Sequence, residues 1–445
     1  MKNSVVKLFA LILSAFFVLL SLPGCNKKNS AQAEENIEAT VNGTTVREID
    51  MEGYTFKIAQ WWDASPNEQG EIARHKAVEE KYNCKIEYVI IPFHQIVSKF
   101  TSSVLSEEPV ADIILFEAVN AIPVFAESGF IIPVDEYFDF SDPKWPPIIK
   151  QTGRYKGRQY GFTNYSWDVA GIYYNKEIIH NEGLPDPFTL QEEGKWTWEK
   201  FAEIAQKATK DIDGDGINDQ WGLAIQGHNL FSPLILSNDA NIIEIDETGK
   251  ATLTLDDPKA IEALQFFADL HNKYKVVMPV IDADDWHEAP RNFSKGKVAF
   301  FFGQGWDGQD FRKAMDRDYG LVFMPKGPKA LDYIVPVQNE AKIYVMPKHA
   351  KYPKEAAMIF EKLFSFNDTE AFKSYIDSFL YSEADLITAY KMRGKGKVTM
   401  FHAYTGFSDM LYSKLVDEVV TNNVPAEIFV RSFKDEAQET IDNEY

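Results

Sequence analysis

Apolar residues along this chain fall into short alternating runs separated by helical stripes. Phe56 and Ile58 alternate in one run, and Ile86, Tyr88 and Ile90 in another, each the length of a half-buried strand. Val110 to Phe116 is almost continuously apolar, the pattern of a parallel strand covered on both faces. Between the second and third runs, Ile96, Val97, Phe100 and Val104 repeat at helical spacing, so strand, helix and strand follow in the order of a parallel α/β sheet. Downstream, Thr197 is placed to cap a helix carrying Phe201, Ile204, Ala205 and Ala208. Asp257 and Pro258 open another with Ile261, Leu264 and Ala268, and Ala356, Phe360, Leu363 and Phe364 mark a third. Val298 to Phe302 is a further buried-strand candidate, far from the others in sequence.

The N-terminus has a different pattern. Lys2 and Lys7 precede two apolar stretches, Leu8 to Leu13 and Ala15 to Leu20, split by Ser14. That is too short for a mature membrane span and matches the apolar region of a secretory leader. The following Leu22-Pro23-Gly24-Cys25 resembles a bacterial lipobox, in which the cysteine thiol is acylated and becomes the new N-terminus. Residues 1–24 are therefore expected to be a lipoprotein signal peptide, with an ordinary signal peptide cut nearby as the alternative. Cys25 is the expected lipidation site, and residues 25–50 a flexible tether, rich in Asn, Ala, Glu, Lys and Thr. Acyl chains such as palmitate would then hold the protein to the outer face of the cytoplasmic membrane, an extracytoplasmic location.

Composition narrows the partners. The 445 residues carry a net charge of −21, which becomes −23 without the leader, whose only charges are Lys2 and Lys7. Such a surface repels nucleic acid and favours a neutral or cationic ligand. Once Cys25 is acylated, Cys84 has no partner, so no disulfide is expected within the chain and stability must come from a large core. About 400 mature residues are more than one core usually serves, which predicts two domains.

Asp211-Ile212-Asp213-Gly214-Asp215-Gly216-Ile217-Asn218-Asp219 carries the sharpest local chemistry. Counted from Asp211, carboxylates stand at positions one, three, five and nine, Gly216 serves the turn at six, and Ile217 can offer a backbone carbonyl at seven. This is the ligand order of a calcium loop, although Gly222 stands where the bidentate glutamate belongs. Asp211, Asp213, Asp215, Ile217 and Asp219 are thus the expected metal ligands, with a structural calcium ion. Gly303-Gln304-Gly305-Trp306-Asp307-Gly308 matches a dinucleotide fingerprint, but the bulk of Trp306 crowds the place of a pyrophosphate. The glycines are read instead as backbone freedom at a crossing between domains.

From Tyr54 to about Phe364 the chain resembles the extracellular solute-binding proteins of ATP-driven carbohydrate importers, the group of maltose-binding protein. The resemblance rests on the order of Tyr155-Lys156-Gly157-Arg158-Gln159-Tyr160-Gly161, Tyr174-Asn175-Lys176, Gly183-Leu184-Pro185 and Trp196-Thr197-Trp198-Glu199. It continues through the acidic loop, Phe293-Ser294-Lys295-Gly296-Lys297-Val298-Ala299, Gly305-Trp306 and Met324-Pro325-Lys326-Gly327-Pro328. It implies a two-lobed α/β fold with a ligand cleft and several hinge crossings, near Val169-Ala170, Phe302-Gly303 and Tyr344-Val345. One lobe would then hold residues 51–169 and 303–344, the other 170–302 and 345–445. It further implies a monomeric, lipid-anchored substrate-binding protein of an ABC transporter that captures a sugar, an oligosaccharide, and delivers it to the permease transmembrane subunits without catalysis. A glycan-acting enzyme and a binding protein feeding a sensor kinase are the alternatives.

Tryptophan beside a carboxylate recurs at expected strand ends: Trp61, Trp62 and Asp63; Trp167 and Asp168; Trp306 and Asp307. Ligands of open α/β sheets bind beyond the carboxyl ends of the strands. An indole can stack on the C–H face of a sugar while a carboxylate accepts its hydroxyls. The resemblance adds Glu117, Asn164, Gln226, His228, Trp286, Gln304, Asn339 and Glu340, which lie in loops that the family uses to line its cleft.

Overall fold

The computed structural model describes residues 40–41, 44–45, 49–66, 69–164, 169–227, 229–282, 285–315, 319–337, 341–366 and 368–445. Cys25 and the signal peptide lie outside these residues, as do Trp167, Asp168, His228, Asn339 and Glu340. Residues from Ile49 onward form one compact unit, while Thr40–Val41 pairs antiparallel with Thr44–Thr45 in the separate unit ahead of it.

Eight strands build two four-stranded sheets. In chain order they are β1 Tyr54–Gln60, β2 Cys84–Ile90, β3 Ile113–Glu117, β4 Ala170–Asn175, β5 Trp221–Ala224, β6 Val298–Gln304, β7 Tyr319–Val322 and β8 Lys342–Val345. The first sheet runs β8-β3-β1-β2 and the second β7-β4-β6-β5. As the strand-helix-strand pattern predicts, β1 is parallel to both β2 and β3. Neither sheet is wholly parallel, because β8 pairs antiparallel with β3, and β4 antiparallel with both β6 and β7. The central strands are buried throughout, Ile113 to Phe116 and Ala170 to Asn175 among them, whereas edge strand β2 leaves Ile90 exposed.

The helices include α1 Phe93–Leu105, α2 Trp198–Ala208, α3 Pro258–Asn272, α4 Gly305–Ala314, α5 Pro353–Leu363 and α6 Thr369–Asp377. Local chemistry starts two of them as expected. Thr197 accepts from the Lys200 N–H at the head of α2, and Asp257 accepts from Lys259 before Pro258 in α3, each satisfying an amide that lacks an intrahelical partner. On α1, Ile96, Phe100 and Val104 are buried, but Val97 is 40% exposed and does not belong to the core stripe.

The strands divide the chain differently from the expected boundaries. Tyr319–Val322 falls within 303–344, expected in the first lobe, yet it pairs with β4 in the second sheet. Likewise α5 falls in the segment 345–445 expected in the second lobe but packs on the Gln69–Tyr82 helix of the first, where the Arg74 Nε–H donates to the Leu363 carbonyl at 2.7 Å. The chain passes between sheets after Asn164, after Val337 and after Leu363, since Phe372 and Ile376 of α6 join the core of the second sheet. The expected crossing at Phe302-Gly303 lies inside β6 and that at Tyr344-Val345 inside β8, so neither is a passage.

Behind α3, the C-terminal segment packs His402 against Phe401 and Tyr412, with ring centroids 3.9 and 5.8 Å away. Its Nε2 is buried without a hydrogen-bond partner among the described residues, and burial pushes the imidazole down to about 4. The unfolded chain binds this proton near pH 6.5, so stability is complete above that value and is lost as pH falls toward 4. His402→Gln should therefore shrink the stability loss between pH 7 and pH 5 by about 2 kcal/mol in urea unfolding. Equal losses in the parent and the variant would show that the ring does not control this slope.

Candidate functional site

A cavity of about 560 Å³ lies between the two sheets. The first sheet contributes the loop after β1 with Trp61 and Trp62, and the second contributes the junction of β6 and α4 with Gln304, Gly305 and Trp306. It continues into a second space of about 740 Å³ that shares Trp62, Gln309 and Tyr375 with the first and reaches Asn164 and Ser365 at the passages. Trp62 and Trp306 remain 37% and 41% exposed, large apolar rings left open to solvent in a concave site.

Each indole is held from beneath. Buried Gln60 donates from Nε2 to the Trp62 carbonyl at 3.1 Å and accepts from the Tyr344 hydroxyl at 3.2 Å, fixing the loop to β8. Trp61 packs edge-on against Trp62 at 5.2 Å and against Phe93 at 5.3 Å, so its ring supports Trp62 and offers less free face. Trp306 rides in the first turn of α4. That turn is closed by a capping box in which the Gln304 side chain accepts from the backbone at Asp307 and the Asp307 carboxylate accepts the Gln304 N–H at 2.8 Å.

The capping box changes the role of Asp307. Its side chain is buried and spent on the helix end, so it does not face the cleft beside Trp306 as expected. The glycines of the apparent dinucleotide motif also find another use. A Cβ on Gly305 would stand 1.9 Å from the Tyr375 hydroxyl, and one on Gly308 would stand 2.5 Å from the Phe379 ring. They let α4 come close to Tyr375 of α6 and to Phe379 just beyond it. Tyr375 keeps its phenol proton, because burial and then the nearby Asp307 carboxylate raise its pKa.

The remaining expected ligand residues separate into three groups. Asn164 donates from Nδ2 to the Ser365 carbonyl at 3.1 Å, joining the first passage to the third, and borders the larger space. Asp63 is exposed beside the cleft loop, its carboxyl held below the usual range by hydrogen bonds from Ser65, and Glu117 ends β3 opposite Lys342; neither lines the two spaces. Gln226 and Trp286 lie in a different cavity of about 400 Å³ on the second sheet, which shares no lining residue with the cleft. Sequence reasoning missed Tyr375, Gln309 and Lys342, whose entry into the cleft depends on contacts between elements far apart in the chain.

The acidic loop lies elsewhere. One carboxylate oxygen from each of Asp211, Asp213 and Asp215 comes within 4.8 Å of the others, and all three residues are exposed. Gly214 and Gly216 take φ of +81° and +90°, conformations that suit glycine and let the chain fold around those oxygens. Asp211 accepts from the N–H groups of Gly214 and Gly216 at 2.7 and 2.8 Å. Asp219 turns one oxygen back to the N–H groups of Ile212 and Asp213, at 2.8 and 3.3 Å, and Ile217 is exposed.

The model of the bacterial extracellular solute-binding proteins matches residues 64–365. The chain is 24% identical over 295 residues to the diacetylchitobiose-binding protein of Streptomyces coelicolor, covering 64% of each. It is 23% identical over 272 residues to the maltotriose-binding protein of Pyrococcus abyssi, covering 60% of this chain and 53% of that one. The matches thus span less than two thirds of these relatives' own lengths. Among solved structures, a cyclo/maltodextrin-binding protein complexed with maltotetraose superposes with a TM-score of 0.65 at 16% identity, covering 87% of this chain and 96% of that one. A substrate-binding protein of Listeria monocytogenes in complex with cycloalternan gives 0.62 at 16% identity, covering 88% and 99%.

Proposed function

The chain belongs to the bacterial extracellular solute-binding protein family, and on that premise we propose that it captures an oligosaccharide in the cleft between its sheets and delivers it to the permease of an ATP-driven importer. Members of this family are binding components of transporters, not enzymes. The observation that carries the sugar reading is the pair of half-exposed indoles, Trp62 and Trp306, brought from different sheets into one cavity. Aromatic faces suit the C–H faces of sugar rings, and Gln304, Gln309 and Lys342 offer polar groups at the same walls. Three passages between the sheets supply a hinge, and contacts made only in the closed state would drive closure.

A thermal-shift screen against mono- and oligosaccharides tests this reading, since a ligand that binds only the folded state raises its apparent stability. Trp306→Ala should weaken binding of the sugar found by about 1 to 3 kcal/mol in calorimetry, with little loss of unfolding stability. Loss of stability with unchanged affinity would move Trp306 from the site to the core.

The anchor and the ion belong to the same proposal. Held by lipid on Cys25, the protein would act as a monomer outside the membrane; no helix among the described residues is long and apolar enough to cross one. Cys25→Ala should release the protein from the membrane fraction or block its processing, and retention after a high-salt wash would refute the anchor. Asp211, Asp213 and Asp215 would hold a calcium ion that pins the loop after α2, since three clustered carboxylates repel one another without a cation. Asp213→Ala with Asp215→Ala should abolish calcium uptake in calorimetry and lower the melting temperature in calcium buffer, leaving sugar affinity intact. No uptake by the parent protein would show that the loop holds no ion.

A further inference from the structure

The cavity beside Trp286 has the build of a binding site and a lining whose charged side chains, among the described residues, are all carboxylates. β5 and β6 are parallel neighbours, with Ala224 opposite Phe301, so their carboxyl ends open on the same sheet edge about 4.8 Å apart. Trp306 follows one strand and Gln226 the other. Trp286 is 48% exposed, and its indole lies over Gly227, where a Cβ would stand 2.8 Å from Cζ3. Gln226 Nε2–H donates to the Trp286 carbonyl at 2.6 Å. An aromatic platform of this kind, in a concave space of about 400 Å³, suits a ring-sized group.

Its walls are anionic. Asp282, Asp285, Glu288 and Asp417 line the cavity, and among the described residues no lysine or arginine does. Arg291 pairs with Asp285 from outside, and the buried Glu288 carboxylate accepts the N–H groups of Ile281 and Asp282 at about 3 Å, which orients it without supplying a countercharge. Among the described residues, the charged side chain lining the space around Trp306 is the cation Lys342. A ligand lying across this edge therefore meets a negative wall at the Trp286 end.

Resting on the sugar-binding reading, we propose that the cavity beside Trp286 receives the protonated amine of an amino sugar at one end of an oligosaccharide whose other rings occupy the cleft at Trp306. The carboxylates then act as specificity groups, because an ammonium brings them a countercharge as well as hydrogen-bond donors, whereas a hydroxyl or acetamide brings donors alone.

Calorimetry on the soluble mature chain with glucosamine trimer, its fully N-acetylated form and the matching glucose trimer tests this. The glucosamine trimer should bind at least tenfold tighter than the other two. Asp282→Asn with Asp417→Asn should cut that advantage to threefold or less, and Trp306→Ala should weaken all three. Equal affinities overturn the inference while leaving the sugar site standing. An amine advantage that survives in both the double variant and Trp286→Ala also overturns it, since it then comes from the net charge of the whole surface. If none of the three binds and the wider sugar screen is empty, the sugar reading falls and this inference with it.

Discussion

Two backbone hydrogen bonds between Phe162 and Tyr344, at 2.9 and 2.7 Å, join the segments by which the chain leaves the first sheet and returns to it. Both residues are buried, so leaving these groups unpaired would carry a desolvation cost of about 1 to 3 kcal/mol each. The Tyr344 hydroxyl then reaches Gln60, and Gln60 reaches the Trp62 carbonyl. One side chain of the cleft is thus set by the same strand that ties two passages together. Asn164 extends the tie to the third passage through Ser365. These bonds lie where the chain passes between the sheets, and Trp62 is held by the sheet that carries them.

The opposite wall depends on a helix end. Gln304 and Asp307 close the first turn of α4, and bare Gly305 lets Tyr375 approach so closely that the turn has little freedom to shift. Trp306 is therefore presented by a rigid element, which suits a residue that meets its ligand by shape. The two indoles differ in how they are held. Trp62 sits on a loop pinned from below, and Trp306 on a capped helix packed from behind.

Features governed by neighbours in sequence were legible before the structure. The caps at Thr197 and Asp257, the apolar run to Phe116 and the strand at Val298 depend on residues within a few positions of each other. The motif around Gly303 to Gly308 was not legible, because the reason for its glycines lies some seventy residues away in Tyr375 and Phe379. Reading them as a hinge misplaced the second passage and with it the border of the lobes. Asp307 shows a nearer miss: an acid three residues after a polar residue at a strand end can cap a helix, but the pattern is weaker with glutamine than with serine or threonine. Gln226 and Trp286, expected to line the cleft, line a separate cavity, since telling two cavities on one sheet edge apart requires the tertiary fold.

The antiparallel position of β8 has a consequence for how the molecule is made. Strand β3 ends at Glu117 and its edge partner begins at Lys342, so the first sheet pairs residues some 225 positions apart. A chain is made from its N-terminus, so the buried edge of Ile113–Glu117 stays without its neighbour until about three quarters of the polypeptide has been made. Loop closure over such a span is entropically costly, and an open apolar edge is a site for mispairing with other chains. The strands of the second sheet all lie between Ala170 and Val322, so its pairing does not wait for β8. The interleaved order that ties the two sheets together is thus also a schedule, in which the first sheet waits for its edge strand and the core of the second waits for the helices that follow Leu363.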